Sequence, residues 1–334
     1  MTFIAPPKIK AIALLSGGLD SQLSIKIIQE QGIEVIAVHF STPFSDPAEE
    51  IQVVQKLAQR LGVQLVVFPK TEEFFDIIKH PRFGYGKNLN PCMDCRLWII
   101  KKAWAYALQI NAEFIITGEV VGQRPKSQHR DQLLVVDRES GIQGRILRPL
   151  SAKLLPVTIP EQEGWVDREK LLDIQGRSRV HQLELGRRFG LVEEYYASGG
   201  CPLCEHSYAV KMRDYLEHAP TIKLEEIWLL KVGRHFRFGE IKVIVGRHQE
   251  DNVKLSKMAG PKDIRFEVPG VGSPITLIHG TATDDAIKFA ASLTARYADA
   301  KSDPVEVTYT TGTRNVKIMV KRAAADIVEK YRLA

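Results

Sequence analysis

The first half of the chain alternates short apolar runs with amphipathic segments, a pattern that predicts strands alternating with helices. The apolar runs cover residues 12–15, 34–40, 64–68, 114–117 and 146–150. Continuous runs of this length are typical of strands buried on both faces of a parallel sheet. One intervening helix is predicted to follow Asp46 and Pro47 and to end at Gly62. The repetition predicts a doubly wound α/β sheet, in which ligands bind beyond the carboxyl ends of the strands.

From about Arg234 onward, apolar and polar residues alternate at period two. This alternation predicts antiparallel strands over residues 236–238, 241–245 and 305–309. Segment 284–297 carries its apolar residues at helical spacing instead. We therefore predict a second domain of the α+β class, with the first domain covering residues 1–220 and the second covering 221–334.

Net charge separates the two predicted domains. The chain has 334 residues and a formal net charge of +6, of which +5 falls in residues 221–334. A balanced first domain and a basic second domain suit an enzyme joined to a nucleic-acid-binding module, although ordinary surfaces also reach this charge. The sequence shows neither an apolar run long enough to cross a bilayer nor a secretory signal, so we predict a cytoplasmic protein.

A glycine-rich segment follows the first predicted strand. Residues 16–21 read Ser-Gly-Gly-Leu-Asp-Ser and lead into a predicted helix at 22–31. Glycines that let backbone N–H groups converge, followed by a helix start, form a cradle for an anion such as phosphate. The other interpretation is a tight turn capped by Asp20 or Ser21. The spacing matches neither the Walker loop nor the dinucleotide-binding fingerprint.

This segment resembles the S-G-G-x-D-S pyrophosphate loop of the N-type ATP pyrophosphatases, which share the adenine nucleotide α hydrolase-like fold. That superfamily includes GMP synthetase, argininosuccinate synthetase and the tRNA thiolation enzymes, which cleave ATP between the α- and β-phosphates. The resemblance implies that the leaving pyrophosphate is held by Ser16, Gly17, Gly18 and Ser21. It also implies that Asp20 lies near Mg²⁺, and that His39 and Phe40 contact the adenosine.

A second polar segment ends the predicted strand at 114–117. Its Thr117-Gly118-Glu119, followed by Gln123 and Ser127, is similar to the T-G-E-x-x-G-Q-x-x-S-Q stretch of 4-thiouridine synthases, with one extra residue before Ser127. The resemblance implies that Thr117, Gly118 and Gln123 belong to the ATP site. It also implies a tRNA sulfurtransferase that adenylates a uridine carbonyl oxygen and replaces it with sulfur, with 4-thiouridine favoured over 2-thiouridine. Two alternatives stay open: a ligase or sulfurtransferase that acts on a small molecule, and a non-catalytic RNA-binding or ribosome-binding protein.

The four cysteines form two C-x-x-C pairs, Cys92 with Cys95 and Cys201 with Cys204. In a cytosolic protein this pattern indicates metal, cluster or redox chemistry instead of structural disulfides. Three interpretations stay open: a tetrahedral zinc site with all four thiolates, a [4Fe-4S] cluster held by three or four of them, and a persulfide or disulfide pair without metal.

The positions of the pairs resemble those of functional cysteines in two groups of enzymes. Asn90-Pro91-Cys92 is similar to a segment of bacterial tRNA 2-thiouridylases, and Gly199-Gly200-Cys201 lies where their second catalytic cysteine is expected. This implies catalytic roles for Cys92 and Cys201, alongside Asp20. The resemblance to cluster-dependent tRNA thiolases implies Cys92, Cys95 and Cys201 as cluster ligands, with Cys204 either as a fourth ligand or as a spare cysteine. Sulfide or an external persulfide carrier would then supply the sulfur.

Residues 225–320 resemble the RNA-binding domain of NFACT-type proteins. The resemblance rests on His235-Phe236-Arg237-Phe238, on the segment from Val245 to Leu255 and on Pro269-Gly270-Val271-Gly272-Ser273. It implies tRNA as the partner, contacted by Arg234, Arg237, Arg247 and Lys254. The alternative interpretation is that these cations are solvated positions on strand faces. The sequence leaves a homodimer open.

Overall fold

The computed structural model describes residues 9–44, 47–124, 127–192, 200–219 and 221–334. The chain divides into two compact units. Unit 1 comprises residues Met1–Gly86 and Asn90–Gly200, and unit 2 comprises Lys87–Leu89 and Cys201–Ala334. Among the described residues, no helix is both long and apolar enough to span a membrane.

Unit 1 is built on a parallel five-stranded sheet. In chain order its strands are β1 (Lys10–Leu14), β2 (Glu34–Ser41), β3 (Gln64–Pro69), β4 (Phe114–Ile116) and β5 (Ile146–Leu147). They lie side by side in the order β3-β2-β1-β4-β5. The helices are α1 (Leu19–Gln29), α2 (Ala48–Leu61), α3 (Glu73–Lys79), α4 (Cys92–Gln109), α5 (Arg130–Ser140), α6 (Ile159–Gln162) and α7 (Val180–Arg188). The predicted α/β sheet is confirmed.

Helices cover both faces of this sheet, which explains the unbroken apolar runs. In β1, Ala11 and Ala13 pack into a core that includes residues of α1 and α2, whereas Ile12 packs into a second core with residues of α4 and α5. All three side chains are buried. A strand with apolar neighbours on both sides needs no polar face, so its sequence lacks alternation.

Two helices in unit 1 differ slightly from their predicted bounds. Helix α1 begins at Leu19, three positions before the predicted start, because Leu19 is itself buried in the core. Helix α2 ends as predicted at Gly62, which adopts the left-handed conformation at φ 65°. The predicted cap Asp46 lies outside the described residues.

Unit 2 contains an antiparallel sheet of six strands, which confirms the predicted α+β class. The strands are β6 (Arg234–Phe238), β7 (Ile241–Val245), β8 (Ile264–Glu267), β9 (Thr276–Ile278), β10 (Val305–Thr311) and β11 (Arg314–Val320). Their spatial order is β11-β10-β8-β9-β7-β6. The helices are α8 (His206–His218), α9 (Leu224–Leu229), α10 (Gln249–Met258), α11 (Asp284–Tyr297) and α12 (Ala325–Tyr331). Helix α11 has the predicted bounds.

The division between the units falls at residue 200, whereas the boundary predicted from charge and pattern falls at residue 220. Helix α8 accounts for the difference. Its Asp214 receives two hydrogen bonds from the Arg237 guanidinium, at 2.7 and 2.6 Å, and lies 3.0 Å from Lys242 Nζ. These ion pairs connect α8 to strands β6 and β7, so the helix belongs to the second unit.

A histidine held between two carboxylates gives unit 2 a pH-dependent stability. His279 lies 2.9 Å from Asp263 Oδ1 and 2.9 Å from Glu226 Oε1. Hydrogen bonds with Asp263 and Glu226 raise the pKa of His279 from 6.5 to about 9. Because the pKa is higher in the folded state, the stabilisation is fully present below pH 6.5 and is lost as the pH rises to about 9.

We therefore expect the His279→Gln variant to lose part of the difference in thermal midpoint that the parent protein shows between pH 6.5 and pH 9. The measurement is thermal unfolding of the full chain at both pH values. His181→Gln is the control, because His181 is a largely exposed histidine of unit 1. An identical pH dependence in the parent and His279→Gln proteins would show that this histidine does not stabilise the fold through its charge.

Candidate active site

The loop after β1 leaves the start of α1 open to an anion. Gly17 has a φ of 85°, in the left-handed region that glycine adopts without strain. Gly18 forms the N-cap of α1, and no side chain caps the helix there. The first N–H groups of an α-helix lack intrahelical partners and carry partial positive charge. An uncapped start after two glycines can therefore hold a phosphate group.

Two side chains of α1 stabilise this loop from within. Ser21 Oγ donates to Gly18 O at 2.7 Å, and Gln22 Nε2 donates to Gly17 O at 3.2 Å. Ser16 Oγ also lies 3.4 Å from Ser21 Oγ. These bonds occupy carbonyl oxygens of the two glycines, so the loop keeps its shape without using the N–H groups of Leu19 to Ser21. The structure thus brings together all the residues predicted to hold pyrophosphate.

Asp20 lies in the first turn of α1 and has one oxygen available for a cation. Its Oδ2 accepts a hydrogen bond from Gln123 Nε2 at 2.8 Å and lies 3.7 Å from an Arg179 nitrogen. Its Oδ1 is buried and receives no hydrogen bond from any described residue. A buried carboxylate oxygen is costly to leave unsatisfied and is a preferred ligand of Mg²⁺. Asp20 therefore fits the predicted place beside a nucleotide-bound Mg²⁺.

The loop after β4 lies directly against the start of α1. A Cβ atom built on Gly118 would lie 2.5 Å from Ser21 N and 2.7 Å from Asp20 C, so only glycine fits there. Ser24 Oγ donates to Thr117 O at 3.3 Å on the next turn of the helix. Strands β1 and β4 are neighbours in the sheet, and the strand order reverses between them. Ligands of doubly wound sheets bind at this position.

A buried ion-pair network that the sequence analysis missed holds the loop after β4. Glu119 accepts hydrogen bonds from Thr117 Oγ1 at 3.1 Å and from Arg148 Nε at 2.8 Å, and also pairs with Arg96. Arg148, which is 2% exposed, donates two further hydrogen bonds to Asp137, at 2.9 and 2.7 Å. Arg148 directly follows β5, and this single charge in an apolar run is a signal that could have identified it.

His39 and Phe40, predicted to contact adenosine, direct their side chains into the interior. His39 Nδ1 lies 2.8 Å from Leu15 O, and Nε2 lies 3.3 Å from Glu50 Oε1. Burial alone would raise the pKa of Glu50, but hydrogen bonds from His39 and the Thr42 N–H lower it below its ordinary value. Phe40 stacks on Phe68 with ring centroids 5.4 Å apart. Both side chains therefore make contacts within unit 1, and adenosine contact by these residues stays a prediction.

The first C-x-x-C pair lies in the first turn of α4. Cys92 is the first residue of the helix, and Cys95 follows one turn later. Both thiols are partly buried. Burial raises the pKa of the Cys95 thiol, and the charge of Lys70 partly opposes this effect. Residues three apart on a helix lie on the same face, so the two thiols can act as a pair.

The second C-x-x-C pair belongs to unit 2. Cys201 precedes a short 3-10 turn at Pro202–Cys204. Two residues of the segment Lys87–Leu89 hold this turn: Leu89 N donates to Leu203 O at 3.1 Å, and Asn88 Nδ2 donates to Cys204 O at 2.6 Å. Burial raises the pKa of Tyr208, and the charge of nearby Cys201 adds to this effect. Gly199 lies outside the described residues.

The predicted metal centre is not assembled in the part of the chain that the structure describes. Within it, no three His, Cys, Asp or Glu side chains are grouped as metal ligands. Each unit by itself supplies one pair of thiols, whereas structural zinc needs four ligands and a [4Fe-4S] cluster at least three. Neither unit by itself therefore supplies enough thiols for a zinc ion or a cluster, and both groups stay predictions.

Three of the four cations predicted to bind RNA are engaged in contacts within unit 2. Arg237 is paired with Asp214, and Arg247 pairs with Asp251 at 2.7 Å while also reaching Lys231 O. Arg234 donates to Gly246 O and lies over the ring of Tyr297. Lys254 is exposed on α10. The structure thus gives the three arginines internal partners and leaves Lys254 on the surface.

Two family models match separate parts of the chain. Residues 8–153 match the model described as "Thiamine biosynthesis protein (ThiI)", and residues 233–332 match the "NFACT protein RNA binding domain". The parallel sheet and the glycine-rich loop are features that the first part shares with PP-loop nucleotide-binding domains. Both resemblances seen in the sequence are thus confirmed: residues 8–153 are similar to the ThiI family, and residues 233–332 are similar to NFACT-type RNA-binding domains.

Several curated proteins are similar to parts of this chain. The tRNA-specific 2-thiouridylase MnmA of Stutzerimonas stutzeri is 24% identical over 245 residues, which are 70% of this chain and 62% of that protein. The probable tRNA sulfurtransferase of Thermococcus kodakarensis is 28% identical over 183 residues, 52% of this chain and 42% of that protein. This chain thus spans less than two thirds of the length of either relative.

A further relative and one solved structure are also similar. The tRNA-specific 2-thiouridylase MnmA 3 of Phocaeicola vulgatus is 35% identical over 31% of each chain. A crystal structure of a 4-thiouridine synthetase–RNA complex with bound ATP has a TM-score of 0.40 and 21% identity, covering 55% of this chain and 42% of that one.

Proposed function

We propose that this protein is an ATP-dependent tRNA sulfurtransferase that converts a uridine of tRNA into thiouridine. In the first step, the uridine carbonyl oxygen attacks the α-phosphorus of ATP, which forms an adenylated uridine and releases pyrophosphate. In the second step, sulfur attacks the same carbon and AMP leaves with the original oxygen. Adenylation is needed because a carbonyl oxygen is a poor leaving group at neutral pH, whereas AMP is a good one.

The start of α1 carries the first step of this proposal. The uncapped helix start after Gly18 would bind the pyrophosphate, and Asp20 Oδ1 would hold the Mg²⁺ that neutralises its charge. Phosphoryl and nucleotidyl transfer depend chiefly on such positioning and charge stabilisation. Gln123 and Arg179 fix the Asp20 carboxylate from its other oxygen. The proposal rests on one observation: a buried Asp20 oxygen that accepts no hydrogen bond from a described residue lies in the first turn of α1, a helix start that no side chain caps.

The cysteines would supply or receive the sulfur of the second step. Cys92 is the first residue of α4. We propose Cys92 and Cys201 as the catalytic cysteines, with sulfide or a persulfide carrier as the external donor. When a persulfide carrier is the donor, its outer sulfur passes to a cysteine thiolate by exchange, which releases the carrier's thiol. This sulfur then attacks the adenylated carbon and AMP leaves, and a second thiol cleaves the S–S bond to release thiouridine, forming a disulfide that an external thiol reduces. When sulfide is the donor, it attacks the adenylated carbon directly.

The second domain and the relatives support the proposed substrate and product. The NFACT-type domain matches an RNA-binding family, and the curated relatives are named for tRNA thiolation. We propose tRNA as the substrate and 4-thiouridine as the product. The match of residues 8–153 to the ThiI model and the Thr117-Gly118-Glu119 loop support 4-thiouridine, whereas the 2-thiouridylase relatives support its isomer.

The decisive experiment is anaerobic incubation of the full chain with ATP, Mg²⁺, sulfide and unmodified tRNA. We expect AMP and pyrophosphate to form only when tRNA is present, together with thiouridine in the digested tRNA. Chromatography against both thiouridine isomers identifies the product. Omission of ATP and the Asp20→Asn variant are the controls. AMP formation that does not depend on tRNA would favour a small-molecule substrate, and no thiouridine with any tRNA or donor would contradict the proposal.

A further inference from the structure

A basic-rimmed groove runs along the border between α11 and β11 in unit 2. Its volume is about 430 Å³, within the range of about 300–1,000 Å³ that small-ligand sites occupy. Strand β11 is an edge strand of the sheet, so the groove opens beside an unpaired edge. The lining residues are Lys288, Phe289, Ser292, Ile318, Met319, Val320 and Lys321.

The floor of the groove is apolar and well supported. Phe289 is 7% exposed and is fixed by stacking on Phe238, at 4.9 Å between ring centroids, and by an edge contact with Tyr331 at 5.0 Å. Met319 is 60% exposed at the groove edge. A fixed apolar floor with a flexible thioether beside it can accept a flat apolar surface such as a nucleobase.

The rim carries two exposed lysines. Lys288 and Lys321 have no carboxylate partner among the residues that the structure describes. Other cations of the domain do have carboxylate partners: Arg237 and Arg247 pair with aspartates, and Lys317 lies 2.8 Å from Glu306. Two of the four cations predicted from sequence to contact RNA are thus neutralised by aspartates, whereas the two lysines at the groove are available to phosphate.

We propose that this groove binds an unpaired nucleotide of RNA, with the base on the apolar floor and the flanking phosphates at Lys288 and Lys321. The proposal deepens the proposed function, because it names the surface that would hold the tRNA. A splayed-out base offers a face for apolar contact, whereas the bases of a duplex are stacked inside it. The groove therefore suits a single-stranded end or loop of RNA better than a helix.

Charge argues against a second copy of the chain as the occupant. A two-fold contact through this groove would place the same surface on both partners and bring their lysines together. A lysine at an edge strand also opposes strand-to-strand pairing, and the groove residue Lys321 directly follows β11. The same cations attract the phosphates of RNA.

The test compares two double variants of the full chain that remove equal charge. Lys288→Ala with Lys321→Ala removes the groove rim, and the α10 variant, Lys257→Ala with Lys262→Ala, removes two exposed lysines at and just after the end of α10. The probe is a fluorescein-labelled single-stranded RNA oligonucleotide, followed by anisotropy at several salt concentrations. We expect the groove variant to bind more weakly and the slope of log K against log salt to fall by about 0.7 for each lysine lost. The α10 variant is expected to keep most of its affinity and slope.

Met319→Ser tests the floor without changing charge. We expect affinity to fall about 5-fold or more through loss of base contact, with an unchanged salt slope. Unchanged binding in the groove variants, a larger loss in the α10 variant, or preference for a duplex RNA probe would each overturn the proposal. So would a dimer in sedimentation that Met319→Ser dissociates. Because the assay contains no ATP and detects only RNA binding, its result is separate from that of the thiolation assay.

Discussion

Replacing Gly118 with alanine is expected to lower kcat/KM for the proposed ATP-dependent thiolation by about 100-fold. The new methyl group would lie 2.5 Å from Ser21 N and 2.7 Å from Asp20 C, both of which are backbone atoms that cannot rotate away. The loop after β4 and the start of α1 must therefore separate by roughly 1 Å, a misplacement that is typically worth about this factor. The same overpacking is expected to cost about 1–3 kcal/mol of stability.

The matched control for Gly118→Ala is Gly260→Ala. A Cβ on Gly260 would lie 3.6 Å from the nearest atom, in the Asp263 carboxylate, which is an ordinary contact. Both substitutions reduce the entropy of the unfolded chain equally, so the comparison isolates the clash. Pyrophosphate release and thiouridine formation are measured on both, at a temperature at which circular dichroism shows them folded. Full activity of folded Gly118→Ala would show that this close approach is not needed for the reaction.

The sequence predicted the phosphate cradle because the chemistry there is local. A strand, two glycines and a helix start are contiguous, so residues 16–21 carry the whole signal. Parallel-sheet geometry then brings the ends of β1 and β4 together, which places Gly118 against Ser21. The fold class could also be predicted, because the periodicity of apolar residues within each local segment indicates whether that segment forms a helix or a strand.

Contacts between distant segments could not be predicted in this way. Arg237 alternates with apolar residues on β6 and therefore looks like a solvated cation, but Asp214 of α8 lies against it. Similarly, Arg96 follows a C-x-x-C pair, and nothing near it in the sequence indicates that it pairs with Glu119. Periodicity identifies the face of a strand or helix, whereas a partner from another element is fixed only by tertiary packing.

The Glu119→Ala substitution is expected to destabilise unit 1 by about 3–5 kcal/mol. Glu119 is the shared partner of two arginines, Arg96 and Arg148, and its side chain is 10% exposed. Burial lowers the pKa of the Arg96 guanidinium only to about 10, so Arg96 stays charged at neutral pH. Removing the Glu119 carboxylate takes a partner from both Arg96 and Arg148, and Asp137 still pairs with Arg148. Thiolation is expected to fall as well, because Glu119 orients the loop that carries Gly118.

Urea denaturation of two sets of variants tests this prediction. Glu73→Ala is the matched control, since Glu73 pairs with Lys102 on the surface, where both side chains are about half exposed, and we expect little change in its midpoint. In the second set, Glu119→Ala is combined with Arg96→Ala. Because the double variant removes one of the two stranded cations, its loss of stability is expected to be smaller than the sum of the single losses, by at least about 1 kcal/mol. Additive losses would mean that Glu119 acts through packing alone and that the charge network does not hold the loop.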